Sequence, residues 1–509
     1  MNIKEAKEEL QKVVTTYLET NTVTGLTDIP VRSQRPLFLM GPPGIGKTDI
    51  MAQIAAEMNV AMLSYSMTHH TRQSLLGLPI ISEKEYENRG TVNISQYTMS
   101  EIIAEIYEIM AKTGKKQGIL FLDEINCTSE TITPILLQFL QDKRFGMEPL
   151  PKGWIVVTAG NPPEFNKSVH EFDTVTWDRL RRIDIEPDFN VWKEYAYSIG
   201  VHQSIMTYLE NKQSNFYKIE QSVDGKTFVT ARGWVDLSTT ITAYEKHGYE
   251  LKWQTVYEYL HNEKVARDFA VYYDLYNKYR ADYEIEKICA GMYDDSIVKR
   301  ASDADYDERF TIIGLLLEQL NMMAKTVIDQ REIFSTMADK LKPFAESKTF
   351  ISDLEGIIND LKTKIENGKA ANSMSAHDLE INGKMLEYLM KYLDGAKMMP
   401  NAPYESVKIV FNKDSSGYTR NREKAKRMFG HVFKFCDMGF GEESQQIIIL
   451  CTELIGNPTT AKYLAFNKCD EYHEHDKLVH FGKRDISLNA KIEKLKELRG
   501  EGENNNIEI

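Results

Sequence analysis

The segment Gly41-Pro42-Pro43-Gly44-Ile45-Gly46-Lys47-Thr48 constrains this 509-residue chain more than any other stretch. It follows a short apolar run, Pro36–Met40, and opens a helical pattern, Asp49–Met58. Glycines between a strand and a helix let the backbone wrap closely around a phosphate chain, because no Cβ stands in the way. The helix N-terminus adds partial positive charge at the same point. In this pattern Gly41, Pro42, Pro43, Gly44, Ile45 and Gly46 form the cradle and Asp49 opens the helix. Lys47 reaches the β- and γ-phosphates, and the Thr48 hydroxyl ligates Mg²⁺.

A second apolar run, Gly118–Leu122, ends in Asp123 and Glu124. A buried strand that ends in two carboxylates delivers acids to the rim of a sheet. There Asp123 suits the outer shell of Mg²⁺, and Glu124 suits a general base for the attacking water. A third run, Trp154–Thr158, leads to Ala159-Gly160-Asn161-Pro162-Pro163. An amide at a strand tip, Asn161, is suited to hold that water between Glu124 and the γ-phosphate, although Asn-Pro also makes ordinary turns. Further strands are expected at Ala61–Tyr65 and Arg182–Ile185. Helical faces are expected from Ile102, Ile103, Ile106 and Ile109 and from Ile132, Ile135, Leu136, Phe139 and Leu140. Continuous apolar strands alternating with helices imply a parallel sheet covered on both faces.

Ahead of this region, Leu10, Val13, Val14, Tyr17 and Leu18 recur at helical spacing. Beyond about residue 190 strand signals nearly vanish. Residues 191–211, 232–246, 252–280 and 310–345 read as amphipathic helices, and 350–395 as a long helical hairpin. A hinge falls at Met398–Pro403, and no internal repeat is evident. The formal net charge of -13 argues against a surface that grips nucleic acid everywhere, but not against one local basic groove. No apolar run reaches the ~18 residues of a membrane span, and the N-terminus lacks the apolar core of a signal peptide. Five scattered cysteines without a Cys-x-x-Cys pattern suit reduced thiols and a cytoplasmic location.

Taken together, GPPGIGKT, ILFLDEIN and VVTAGNPP resemble the AAA+ ATPases, closest to the MoxR group and dynein-related modules, over about residues 30–250. The stretch from Thr71 through Pro79 to about Tyr97 resembles that group's insert, and Arg144–Gly153 resembles its hairpin before the third signature strand. The resemblance implies a P-loop AAA+ parallel sheet with helices on both faces, then an α-helical lid and a mostly α-helical C-terminal region. The organisation expected is a lead-in over 1–29, the α/β domain over 30–188 and the lid over 189–300. A helical region over 301–398, a C-terminal module over 399–498 and a disordered tail over 499–509 follow.

The same resemblance implies ATP and Mg²⁺ as cofactors and an arginine that reaches into the neighbouring subunit. Arg179, in Val175-Thr-Trp-Asp-Arg179-Leu-Arg181-Arg182, aligns best with that role, with Arg181 and Arg182 as alternatives. Arg232 resembles the second sensor at the start of the lid, although Ala231 departs from the usual preceding residue. The function implied is ATP hydrolysis in a ring, a hexamer by resemblance, coupled to remodelling of a protein partner such as a von Willebrand factor A domain protein. Membrane insertion and nucleic-acid partners are not expected. The competing readings are a nucleic-acid translocase or restriction-type NTPase and a nucleotide-gated scaffold.

Three weaker signals stand apart. Cys469, His473, His475 and His480 resemble a metal cluster only loosely. His69 and His70 read as polar surface residues. Arg420, Arg422, Lys424, Lys426 and Arg427 form a basic run near Tyr418 and Phe429, which suits a solvated helix face or a contact with nucleic acid or an acidic partner.

Overall fold

A computed structural model describes residues 1–20, 27–86, 90–165, 168–222, 225–370 and 374–475. The tail expected to be disordered and His480 lie outside them. The described chain forms two compact units, Met1–Val191 with Thr363–Leu379, and Trp192–Lys362 with the residues from Glu380 onward.

The first unit is built on five parallel strands, β1 (Leu37–Met40), β2 (Ala61–Ser66), β3 (Gly118–Asp123), β4 (Trp154–Gly160) and β5 (Arg181–Asp184). Their order is β2-β3-β4-β1-β5. The last strand starts one residue earlier than the apolar pattern suggests. Its pairing carries on through Ile185, whose N–H donates to the Met40 carbonyl at 2.7 Å. Side chains alternate across the sheet. Leu37, Leu39, Ile119 and Phe121 point into a core shared with α1 (Ile3–Leu18) and α2 (Lys47–Glu57). Phe38, Met40, Leu120 and Leu122 point into the opposite core, shared with α3 (Glu101–Thr113) and α4 (Thr133–Asp142). The helix α1 begins with a reciprocal capping box between Asn2 and Glu5 and buries Leu10, Val13, Val14, Tyr17 and Leu18. Two antiparallel hairpins decorate the unit, Pro79–Tyr86 with Gly90–Tyr97, and Arg144–Phe145 with Glu148–Pro149.

The second unit is mostly helical. Two of the long patterns are broken where the sequence reads as continuous. Residues 191–211 fold as Phe189–Ile199 and Gln203–Asn211, interrupted at Gly200 (φ 75°). Residues 252–280 fold as Trp253–Leu260 and Glu263–Asp282, because His261 turns into the left-handed region (φ 44°) and Asn262 caps the second helix. A short hairpin, Lys218–Ser222 with Gly225–Val229, is the strand pair that helical periodicity missed. The centre is α5 (Tyr306–Leu341), against which Gln203–Asn211, Glu263–Asp282, Gln445–Gly456, Pro458–Phe466 and α6 (Pro403–Phe440) pack. Gly314 lets one of these helices cross closely, since a Cβ there would lie 2.4 Å from the Thr207 hydroxyl. The segment Tyr306–Phe344 is long and apolar enough to cross a membrane by length and composition alone, although Glu318 and Lys325 interrupt its apolar run. Yet 61% of its apolar window is buried inside the protein, as befits a core helix.

Candidate functional site

Three strand tips, β1, β3 and β4, converge at the start of α2. The cradle has the backbone its glycines were expected to supply, with Gly44 at φ 73° and Gly46 at φ 92°. Gly41 is required for space, because a Cβ there would lie 2.9 Å from the Ile185 carbonyl oxygen. Gly46 caps α2, so the first helical N–H groups face the loop.

Lys47 is buried, and its Nζ donates to the carbonyls of Gly41 (2.8 Å) and Pro42 (3.0 Å) and to Asn161 Oδ1 (2.9 Å). An ammonium has three donors, and these bonds match them all. Next to it, the Thr48 hydroxyl donates to Asp123 Oδ2 at 3.1 Å. A hydroxyl and a carboxylate side by side are the oxygen pair a small hard cation takes, so the residues present fit Mg²⁺. Glu124 sits in the left-handed region (φ 55°), which turns its carboxylate off the end of β3, and its N–H donates to Asp123 Oδ1 at 2.8 Å. The Glu124 carboxylate accepts hydrogen bonds from Ser66 (3.1 Å) and Thr68 (3.4 Å) at the end of β2.

Asn161 is held by its neighbours. Its backbone carbonyl accepts from Asn126 Nδ2 at 2.8 Å, and the Thr158 hydroxyl ties β4 to the Leu37 carbonyl at 2.8 Å. Ser66, Thr68 and Asn126 escaped the sequence reading. Asn126 lies two residues beyond Glu124 and could have been found there, but the two hydroxyls come from another strand and carry no local signal.

The three arginines near β5 fare differently. Arg181 pairs with Glu9 of α1. Arg182 pairs with Asp184 at 2.7 Å and lies 4.9 Å over the Trp177 ring. Arg179, the last residue of the helix Thr174–Arg179, is exposed and has no hydrogen bond or salt bridge among the described residues. It helps hold the Asp173 carboxyl below its ordinary range, after the larger effect of the hydrogen bonds from Thr176. Arg232 belongs to the second unit, in the first turn of Ala231–His247, where Thr230 caps the helix. Asp49 stands in the first turn of α2.

The loosely resembled metal cluster is not assembled. Among the described residues no group of three metal-ligating side chains exists. Cys469 contacts Glu471, while His475 pairs with Asp437 at 3.2 Å and stacks on Phe433. His70 meets Ser74 and the Tyr65 ring, and burial lowers its pKa.

A β2-β3-β4-β1-β5 sheet with a glycine cradle after β1 and paired acids after β3 defines a P-loop nucleotide-binding domain of the AAA+ class. Residues 36–180 match the family model of the AAA domain, dynein-related subfamily, so this stretch of the chain is an AAA+ domain. No curated protein matches the chain. A solved structure of a candidate ATPase from Cytophaga hutchinsonii is 12% identical, with 51% of this chain and 81% of that chain covered. Its TM-score is 0.22, too low to establish a shared overall fold.

Proposed function

We propose that this chain is an ATP-hydrolysing AAA+ motor that works as a ring of identical subunits, each lending Arg179 to its neighbour's nucleotide. The observation that carries this reading is the sorting of the arginines. Arg181 and Arg182 are engaged within their own subunit, whereas Arg179 ends its helix exposed and without a hydrogen bond or salt bridge among the described residues. A cation held in that way is suited to offset charge gathering on a phosphate from outside the subunit.

Within one subunit, the backbone of Gly41–Gly46 would wrap the phosphates of ATP. Lys47 would exchange its carbonyl partners for the β- and γ-phosphates, and Thr48 with Asp123 would hold Mg²⁺. When bound, Mg²⁺ supplies positive charge against the phosphate oxygens. Glu124 would take the proton of the attacking water, and Asn161 would orient that water. Arg232 would contact the γ-phosphate from the lid. Glu124 is parked on Ser66 and Thr68, so productive turnover requires it to leave those hydroxyls.

The work done is remodelling of a protein partner in the cytoplasm. Leu78, Ile80 and Ile81 on the insert and Met147 on the second hairpin are exposed, and apolar surface on projecting hairpins suits a grip on a polypeptide. The resemblance to the MoxR group favours a hexamer and a von Willebrand factor A domain protein as partner. The five cysteines form no disulfide, which fits a reducing compartment.

The test mixes two inactive proteins. Glu124→Gln should bind ATP but turn over at least ~100-fold more slowly. Arg179→Ala should also bind ATP, yet lose roughly 10³- to 10⁵-fold in rate. Co-expressed, they create interfaces in which an intact pocket meets an intact Arg179, and ATPase activity should partly return. A mixture that stays inactive while subunit exchange is shown by mass spectrometry, or a fully active Arg179→Ala protein, would overturn the shared site.

A further inference from the structure

The helix α6 sorts the basic residues of its sequence into two groups. Arg422 leans on Glu423 (3.7 Å) and is mostly covered. Lys426 points to another side of the helix, beside Asp470. Arg420, Lys424 and Arg427 remain in line, and the line extends to Lys413 and Lys434. At ~100° per residue these five positions fall within an arc of about 80°, and from Lys413 to Lys434 they run about 32 Å. Lys413, Arg420, Arg427 and Lys434 recur every seventh residue. All five side chains are exposed, and none has a hydrogen bond or salt bridge among the described residues. The five cations face solvent on a chain of net charge -13, with the exposed Glu423 at the edge of the row.

The geometry points to a binding face for the sugar–phosphate backbone of a nucleic-acid duplex along α6. The row length is close to one turn of B-form duplex, ~34 Å. Phosphate contact needs only spaced cations. A protein partner would need an apolar or aromatic anchor at the centre of its footprint, and a membrane surface would need an apolar face to bury. Along α6 itself neither exists, because its exposed large apolar residues, Ile409 and Met438, lie beyond the two ends of the row. Single strands are excluded by the same inspection. They are held by bases stacking on aromatic rings, and Tyr418 and Phe429 are both buried in the core. The net charge of -13 disfavours approach of a polyanion to the surface at large, and a local row of exposed cations is where it is offset. This inference is independent of nucleotide turnover.

Fluorescence anisotropy of the full-length protein with a labelled 30-base-pair DNA duplex tests it. Three to five phosphate contacts give a salt slope near −0.9 per contact, so affinity should fall about 40- to 500-fold between 50 and 200 mM salt. The triple variant Arg420→Gln, Lys424→Gln, Arg427→Gln should bind at least tenfold more weakly, with an unchanged melting temperature. Should it misfold, single Arg427→Gln should still reduce the salt slope by about one. Lys426→Gln, off the row, should bind like the wild type. No duplex binding at 50 mM salt would overturn the inference. So would equal losses from Lys426→Gln and Arg427→Gln, or row-dependent binding of polyglutamate or phosphatidylserine vesicles in place of the duplex.

Discussion

The Lys47 ammonium donates to Asn161 Oδ1 across 2.9 Å, joining the start of α2 to the tip of β4. Residues 114 positions apart thus share one hydrogen bond at the centre of the site. The lysine is satisfied by protein atoms before any phosphate arrives, so binding exchanges hydrogen bonds and desolvates no free charge.

That contact separates two substitutions of Asn161. Asn161→Ala should bind ATP almost as the wild type does but hydrolyse it about 10²-fold more slowly, having lost the group that orients the water. Asn161→Asp puts a carboxylate against the Lys47 ammonium and adds ion-pair attraction to the hydrogen bond. The lysine would then be held back from the phosphates, and ATP affinity should drop about tenfold or more. Titration with a fluorescent ATP analogue distinguishes the two, and equal affinities would refute the account.

Gly160 holds that tip in place by leaving room. A Cβ there would lie 2.3 Å from Asn126 Oδ1 and 2.7 Å from Phe38 Cζ. Gly160→Ala should cost about 1–3 kcal/mol of stability through overpacking, and should slow ATP turnover by displacing Asn161. Gly356→Ala, in the helix Phe350–Ala370 with nothing within 4 Å of the new Cβ, should instead gain about 0.5–1 kcal/mol. Urea denaturation of both variants checks the contrast.

Lys143 caps α4 from a buried position and donates to the Leu140 carbonyl at 2.6 Å. Burial pushes its pKa down to about 7, against a smaller upward pull from Asp142. Between pH 7 and the ordinary lysine value of 10.5, the unfolded chain holds a proton that the folded chain does not. Native stability from this group is therefore complete above the unfolded value and falls as pH drops through that window. Below about pH 7 the penalty is constant. Lys143→Met should thus stabilise the protein at pH 7, by about 1–3 kcal/mol, with the gain shrinking toward pH 10. Paired thermal melts at the two pH values would expose a pH-independent difference if the account were wrong.

Four of the five thiols are buried, and Cys127 is partly exposed. Burial pushes Cys289 and Cys469 up to about 12. Because the thiolate is the reactive form, iodoacetamide at pH 8 should modify Cys127 alone in the folded protein and all five thiols after unfolding without reductant. Intact mass reads both numbers. A missing fifth adduct in the unfolded chain would reveal a disulfide.

Much of the candidate site was legible in the sequence, since each part is announced by its neighbours. Gly41–Thr48 needs glycines where the backbone turns left-handed, Asp123 and Glu124 end a wholly apolar run, and Asn161 follows another. Such signals depend on φ values and on alternation over a few residues, which the local order of residues records directly. What only the tertiary structure decided are the pairings between distant residues. Glu9 of α1 engages Arg181 and Asp184 engages Arg182, whereas Arg179 stays exposed, a division among the three arginines that the sequence does not show. Ser66 and Thr68 reach Glu124 because β2 lies beside β3. The basic run near residue 420 divides because α6 buries Tyr418 and Phe429 and so fixes which side chains face water. Charge and hydrogen-bond partners are chosen by proximity in space, and chain order carries no record of that until the sheet and the helices have packed.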